Sequence, residues 1–368
     1  MDKKVIGAVF VILFIFLLVF LVSNKKPESF RIGVIAPITG NFAALGEHIH
    51  NGFEMAKEDV LAQGKIKSFD ILYEDACQPK EAVAAAQKFI STDKITILGG
   101  SFCVVGFVPV LPIMEEAKIV SFNIAPNPDS VLGHKYLVST NSSIQLKAKQ
   151  IAQFAHDTLG GKKASVIYYN TPLGADYNKY LSETFEKAGG KILSSEVTAV
   201  DATDFRTQLT KIKADKVDII FVTELAAPLG NLLKQARELG IQAKIVGNSQ
   251  NEDPNVLSTA GIAAEGFIIS SDEPFPKTDK ILDFAKRYEA KFNQKPDTFA
   301  ANAYDSLMLQ VDAYNSCGAD SDCVLNYLHR ISNYTGVSGQ ISIAENGTAS
   351  KPTIFKIVKN SQFVKFEQ

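Results

Sequence analysis

No glycine in this chain stands two positions from another, and that gap alone removes a group of functions. Without G-x-G there is neither the glycine fingerprint of a dinucleotide fold nor the phosphate loop of a kinase. G-x-x-x-x-G-K-[S/T], G-x-S-x-G, H-E-x-x-H and the EF-hand loop are missing too, so most of the common catalytic motifs are absent. An excess of one charge is also missing. Lys and Arg total 38 against 40 Asp and Glu, and a net −2 gives no electrostatic footprint for nucleic acid or anionic lipid. There is no tryptophan, and there are only four cysteines, with none of the C-x-x-C or C-x-H spacing that zinc favours.

What remains is a folded chain of 368 residues, 46% apolar and 21% charged, with enough length for two cores. The apolar excess is concentrated. Residues 5–22 form an 18-residue run without a charge, preceded by Lys3 and Lys4 and followed by Asn24, Lys25 and Lys26. That is long enough to cross a membrane and longer than a signal-peptide core of roughly 7–15 residues. Leu21-Val22-Ser23 lacks the small-x-small pattern of a cleavage site, and no cysteine is near enough for a lipid anchor. The expectation is an uncleaved transmembrane anchor at 5–23 behind a cytoplasmic stub at 1–4. The alternative is a cleaved signal peptide, and both export the rest. Cysteine usage agrees with export. Four cysteines allow three pairings, and spacing favours Cys77–Cys103 and Cys317–Cys323 over four free thiols.

From residue 30 onward, β-branched runs alternate with helical patterns. Strands are expected at 31–36, 69–73, 95–98, 119–122, 165–169, 192–197, 217–222, 243–246 and 266–270. The runs at 95–98 and 219–222 are apolar on both faces, as central strands of a covered parallel sheet must be. Helices are expected at 42–61, 79–90 and 228–239, and in the tail at 279–292, 298–316 and 322–331. A closing hairpin is expected through 339–343 and 353–358. Polar residues 139–145 and the prolines at 274 and 276 mark two crossings between lobes. The resulting expectation is an α/β fold of two doubly wound parallel-sheet lobes joined by three hinge crossovers. Lobe 1 would take 30–142 and 275–331, and lobe 2 would take 143–274 and 332–368.

Two local clusters resemble chemistry without carrying it. His48 and His50 fall on a helix, where residues two apart point nearly oppositely, so solvated or capping roles outweigh metal ligation. Glu74 and Asp75 end a strand on opposite faces, and Asp75 reads as a loop anchor rather than a catalytic acid.

Several segments, taken in order, resemble the type I periplasmic solute-binding proteins of ABC transporters, specifically the branched-chain amino acid type. They are Arg31-Ile-Gly-Val-Ile-Ala-Pro-Ile-Thr-Gly40, Tyr73-Glu-Asp-Ala-Cys-Gln-Pro-Lys80, Leu98-Gly-Gly-Ser-Phe-Cys103, Ala125-Pro-Asn-Pro-Asp129, Gln235-Ala-Arg-Glu-Leu-Gly240, Ala303-Tyr-Asp305 and Gly336-Val-Ser-Gly-Gln-Ile-Ser-Ile343. The resemblance spans about residues 30–368 and implies that ligand is held between strand ends of the two lobes. Cys77 and Cys103 match that family's disulfide in the first lobe. The loops it implies around a ligand are 37–46, 100–106 and 123–127 in one lobe, and 170–174, 223–226 and 248–251 in the other.

Departures from the amino-acid-binding pattern fall on those loops. Val104 replaces a hydroxyl residue, Pro126 replaces a Ser or Thr, Leu45 replaces an aromatic, and Ser249 stands where an acid pairs with an α-ammonium. The ligand-binding candidates are Leu45, Ser101, Phe102, Val104, Asn123, Ala125, Asn170, Glu224, Ser249 and Gln250. Glu224 is the candidate for the missing negative partner. Its bland reading is a solvated loop carboxylate. The expected function is an extracytoplasmic, membrane-anchored binding protein, not an enzyme and without cofactor or metal. It would be a monomer that captures an amino acid, amide or similar small organic solute for ABC permease subunits. The alternative is a sensor ectodomain, which would need a separate signalling partner because four residues precede the apolar run.

Overall fold

Along the strand Ile219–Thr223, alternate side chains enter two different cores: Ile219 and Phe221 pack on one face, Ile220 and Val222 on the other, all buried. The computed structural model describes residues 30–367 apart from 225, 273, 275 and 276. The apolar run at 5–22 lies outside the described residues, among which no helix is long and apolar enough to cross a membrane.

The strands, in chain order, are β1 Arg31–Ala36, β2 Asp70–Asp75, β3 Ile97–Ser101, β4 Val120–Asn123, β5 Leu137–Ser139, β6 Lys163–Tyr169, β7 Lys191–Thr198, β8 Ile219–Thr223, β9 Lys244–Gly247, β10 Ile268–Ser271, β11 Tyr334–Gly336, β12 Gly339–Ile343, β13 Ala349–Ser350, β14 Ile354–Lys359 and β15 Gln362–Lys365. They form one five-stranded sheet, β2-β1-β3-β4-β5, and one seven-stranded sheet, β15-β14-β10-β9-β8-β6-β7, beside a small antiparallel β11-β12-β13 sheet. The first is wholly parallel, and the second is parallel apart from β14 and β15.

Both large sheets are covered on each face. In β1, Ile32 and Val34 enter the core shared with the helix Ala43–Ala62, while Ile35 enters the opposite core under the helix Pro79–Lys88. Such two-sided burial is what forces near-continuous apolar strands in parallel sheets.

The chain passes between the sheets three times. It leaves the first after β5, through buried Thr140–Ser143, and enters the helix Ile144–Gln153 of the second. After β10 it returns through 272–278 to the helices Asp279–Phe292 and Thr298–Cys317, whose Phe284, Tyr288, Leu307 and Val311 lie in the first core. It crosses again between β12 and β14.

Two expectations need correction here. Residues 339–343 and 353–358 are not partners in a hairpin: β12 pairs with β11 and β13, whereas β14 pairs with β10 and β15. Residues 332–343 also do not belong with the second sheet, because Val337, Ile341 and Ile343 are buried in the first core. Alternation identified the strands but cannot name a strand's neighbour. The three-residue β5 is absent from the expected strands and ends at Ser139, where the stretch read as a polar break begins.

Candidate functional site

In open α/β sheets, a crevice forms outside the carboxyl ends of strands where the strand order reverses. The order reverses between β1 and β3 in the first sheet and between β6 and β8 in the second. The loops that follow these strands therefore carry the candidate site.

After β1, Asp75 fixes the loop 37–46. Its Oδ1 accepts from the N–H groups of Ile38 and Thr39 at 2.8 and 3.3 Å, and its Oδ2 accepts the Thr39 hydroxyl at 2.5 Å. The Thr39 hydroxyl and then those amides hold the Asp75 carboxyl below its usual range. This is the loop anchor read from the sequence. Gly46 closes the loop against the backbone, since a Cβ there would meet Pro37 O at 1.9 Å. Leu45 is half-buried, while Ile38 and Phe42 are 48% and 51% exposed.

After β3, Ser101 is buried and Phe102 is half-buried, its ring edge-on to Phe299 at 4.9 Å and inclined to Phe42 at 6.3 Å. The structure pairs Cys103 with Cys77, Cα–Cα 5.1 Å, and Cys317 with Cys323, Cα–Cα 5.5 Å. Val104 opens the short helix Val104–Phe107 and packs against the core under Pro79–Lys88, while Val105 beside it is 65% exposed.

After β4, Asn123 turns inward. Its amide donates to Asn127 Oδ1 at 2.7 Å and its Oδ1 accepts from Ala125 N at 3.2 Å. Asn127 in turn donates to Ser139 Oγ at 2.7 Å and Asn141 O at 3.0 Å. All of these residues are buried, so Asn123 and Ala125 shape the loop and tie it to the first passage.

In the second sheet, Asn170 and Gln250 are exposed and Tyr169 is buried, its hydroxyl 3.4 Å from Gln250 Oε1. Ser249 is directed away from the loop group: its hydroxyl donates to Asp272 Oδ2 at 2.7 Å, and Lys147 Nζ reaches both. Burial works to raise the Asp272 carboxyl, but the Lys147 ammonium and its hydrogen bonds bring it below the usual range.

Glu224 is not a solvated loop carboxylate. Its side chain is fully buried, Oε1 accepts the Thr198 hydroxyl at 2.5 Å, and its backbone carbonyl accepts from the Asn251 amide at 2.7 Å. Burial pushes its carboxyl up to about 7, against the lowering effect of the Thr198 hydrogen bond. Oε2 has no partner, and neither do Thr223 Oγ1 and Asn248 Nδ2 beside it in the chain order of β8 and β9. Three of the six buried polar side-chain atoms without a partner among the described residues thus sit at two adjoining strand ends. Such atoms are expensive to leave unmatched, and a ligand is one way to match them.

Sequence reasoning missed Tyr169 and Thr198, and it placed Thr223 and Asn248 in the implied loops 223–226 and 248–251 without naming them as contacts. The signal available was position alone, since each ends or directly follows a strand of the second sheet. The histidines do not converge: His48 Nδ1 lies 3.0 Å from Tyr288 OH, and His50 packs on the Tyr73 ring. Among the described residues no group of three or more His, Cys, Asp or Glu is placed to hold a metal.

Comparison with known proteins agrees with this geometry. Residues 29–362 match the family described as periplasmic binding protein. A Leu/Ile/Val-binding protein homolog from Brucella melitensis is 28% identical over 338 residues, covering 88% of this chain and 90% of the relative. The structure of a leucine binding protein from Thermotoga maritima superposes with a TM-score of 0.79 at 24% identity, over 92% of this chain and 98% of that one. A solute binding protein of an ABC transporter from Rhodopseudomonas palustris, in complex with 3,4-dihydroxybenzoic acid, gives 0.76 at 24% identity over 92% and 96%.

Proposed function

The chain belongs to the periplasmic binding protein family, and on that premise we propose that it is the extracytoplasmic solute-binding protein of an ABC importer. It captures a small organic molecule between two lobes and makes or breaks no bond. The reading is carried by one observation: the strand order reverses at β1/β3 and at β6/β8, and the chain passes between the two sheets three times.

Lobe 1 comprises 30–143 and 277–343, and lobe 2 comprises 144–272 and 353–367, hinged at the three passages. Closure brings the loops 37–46 and 100–106 toward 170–174, 223–226 and 248–251. A ligand favours the closed form only through contacts made there and not in the open form. Leu45, Phe102 and Val104 supply apolar wall, while Ser101, Asn170, Glu224 and Gln250 supply polar contacts. Asn123, Ala125 and Ser249 hold the loops in place. Residues 5–23 anchor the chain as a monomer, with Cys77–Cys103 and Cys317–Cys323 oxidised outside the cytoplasm.

The test is a solute screen by thermal shift, because a molecule bound only by the folded chain raises the midpoint. One or more amino acids, amides, amines or aromatic acids will raise it. If none does, while a purified protein partner does, solute capture is wrong.

A further inference from the structure

We infer that the solute is an amine: it presents a protonated nitrogen to Glu224 and lays an apolar body against the aromatic rim of lobe 1. This rests on the solute-capture reading and narrows its substrate class.

The first ground is charge. The six loops 37–46, 100–106, 123–127, 170–174, 223–226 and 248–251 contain one charged side chain between them, Glu224, and no Lys, Arg or His. Lys147, 3.4 Å from Ser249, is already paired with Asp272 at 2.6 Å. A carboxylate entering these loops would be buried without a cation opposite it. An ammonium group would not lack a partner.

The second ground is unmet hydrogen bonding. Glu224 Oε2 and Thr223 Oγ1 are buried acceptors without partners, and an ammonium group has three N–H donors to offer. Asn248 Nδ2 is a buried donor without a partner and fits a hydroxyl, ether or carbonyl oxygen elsewhere on the ligand. The third ground is the opposite wall. Phe42, 51% exposed, meets the ring of Phe102, which leans on Phe299, and Ile38 and Val105 on the same two loops are 48% and 65% exposed. Exposed apolar side chains grouped at a cleft rim suit an apolar body rather than a second polar group.

Protonation then becomes part of binding. Unliganded Glu224 titrates at about 7 because it is buried. Tyr169 is the other titratable group set against it, and burial keeps that hydroxyl protonated. An ammonium beside Glu224 favours the charged carboxylate, so amine binding releases a proton below pH 7. Amine affinity should fall about tenfold per pH unit below that point.

The experiment is isothermal titration of the full-length chain with two matched sets of four: isoamylamine, isovaleramide, isovalerate and leucine, then 2-phenylethylamine, phenylacetamide, phenylacetate and phenylalanine. Each is run at pH 6 in two buffers of different ionisation enthalpy. The expected result is an amine that binds at least tenfold tighter than its matched amide, acid and amino acid, releasing close to one proton. Glu224→Gln should weaken that amine at least tenfold and leave the amide within about threefold. The proton release in the unaltered chain needs no variant, so a folding defect in the variant does not blunt the test. If no amine binds, or amine binding releases no proton, the inference is overturned. Binding of an acid, amide or amino acid in that case leaves solute capture standing.

Discussion

Lys147 and Asp272 meet at 2.6 Å from two different passages between the sheets, Lys147 just after the first and Asp272 at the start of the second. Lys147 is 4% exposed, and Asp272 also accepts the Ser249 hydroxyl at 2.7 Å. The loop after β9 is therefore bonded to residues beside both passages, so a change in that loop and a change at either passage act on one shared group.

Removing one partner of this pair leaves a buried charge alone. Asp272→Asn should destabilise the chain by about 3–5 kcal/mol at pH 7. Because the folded-state pKa of Asp272 is depressed, its stabilisation is present above the unfolded value of 3.8 and is lost as pH falls through the folded value. The variant's thermal midpoint should accordingly fall less steeply than the parent's below that pH. An acid limb of unchanged steepness would count against the pairing.

Lys351 gives a pH signature of the same sign at the alkaline end. Burial lowers its ammonium to about 8, against the raising effect of Asp305 and Asp272. Between about 8 and its ordinary 10.5 the unfolded chain binds more protons at this site, so the site adds stability as pH rises through that window. Lys351→Met should remove this part of the slope. Thermal midpoints at half-unit steps from pH 7.5 to about 10 would decide it, and parallel curves would refute the assignment.

Gly336 lies against Asp305, whose carboxylate accepts from the N–H groups of Val337 and Ser338 at 2.9 and 2.7 Å. A Cβ at 336 would fall 2.2 Å from Asp305 Oδ2. Gly336→Ala should therefore cost about 1–3 kcal/mol, the usual range for overpacking. Urea unfolding reads this directly, and a loss near zero would mean the carboxylate can step aside.

The two cysteine pairs predict a thiol count. The chain denatured without reductant should show no reactive thiol, and reduction should expose four. Cys77→Ser together with Cys103→Ser should lower stability by about 3 kcal/mol, since the closed segment spans 26 residues.

Much of the scaffold was legible because its causes are local. Residues 219–222 announced a doubly covered strand by being apolar at every position, and Asp75 announced a loop anchor by ending a strand on the face opposite Glu74. The remainder depends on partners far along the chain. Glu224 read equally as a ligand partner or a solvated loop carboxylate because Thr198, which covers it, lies on another strand. Asn123 and Ser249 looked like ligand contacts because Asn127 and Asp272, which occupy them, are set by the fold. The alternation in 339–343 was visible, but its antiparallel neighbours β11 and β13 were not.

The central claim is that two hinged halves shut on a solute, and small-angle scattering of residues 24–368 tests it most directly. This segment should be a soluble monomer. Its radius of gyration should fall when saturated with the compound that raises its thermal midpoint most, and stay constant with a compound that leaves the midpoint unmoved. A radius that is the same with and without the bound compound would contradict closure.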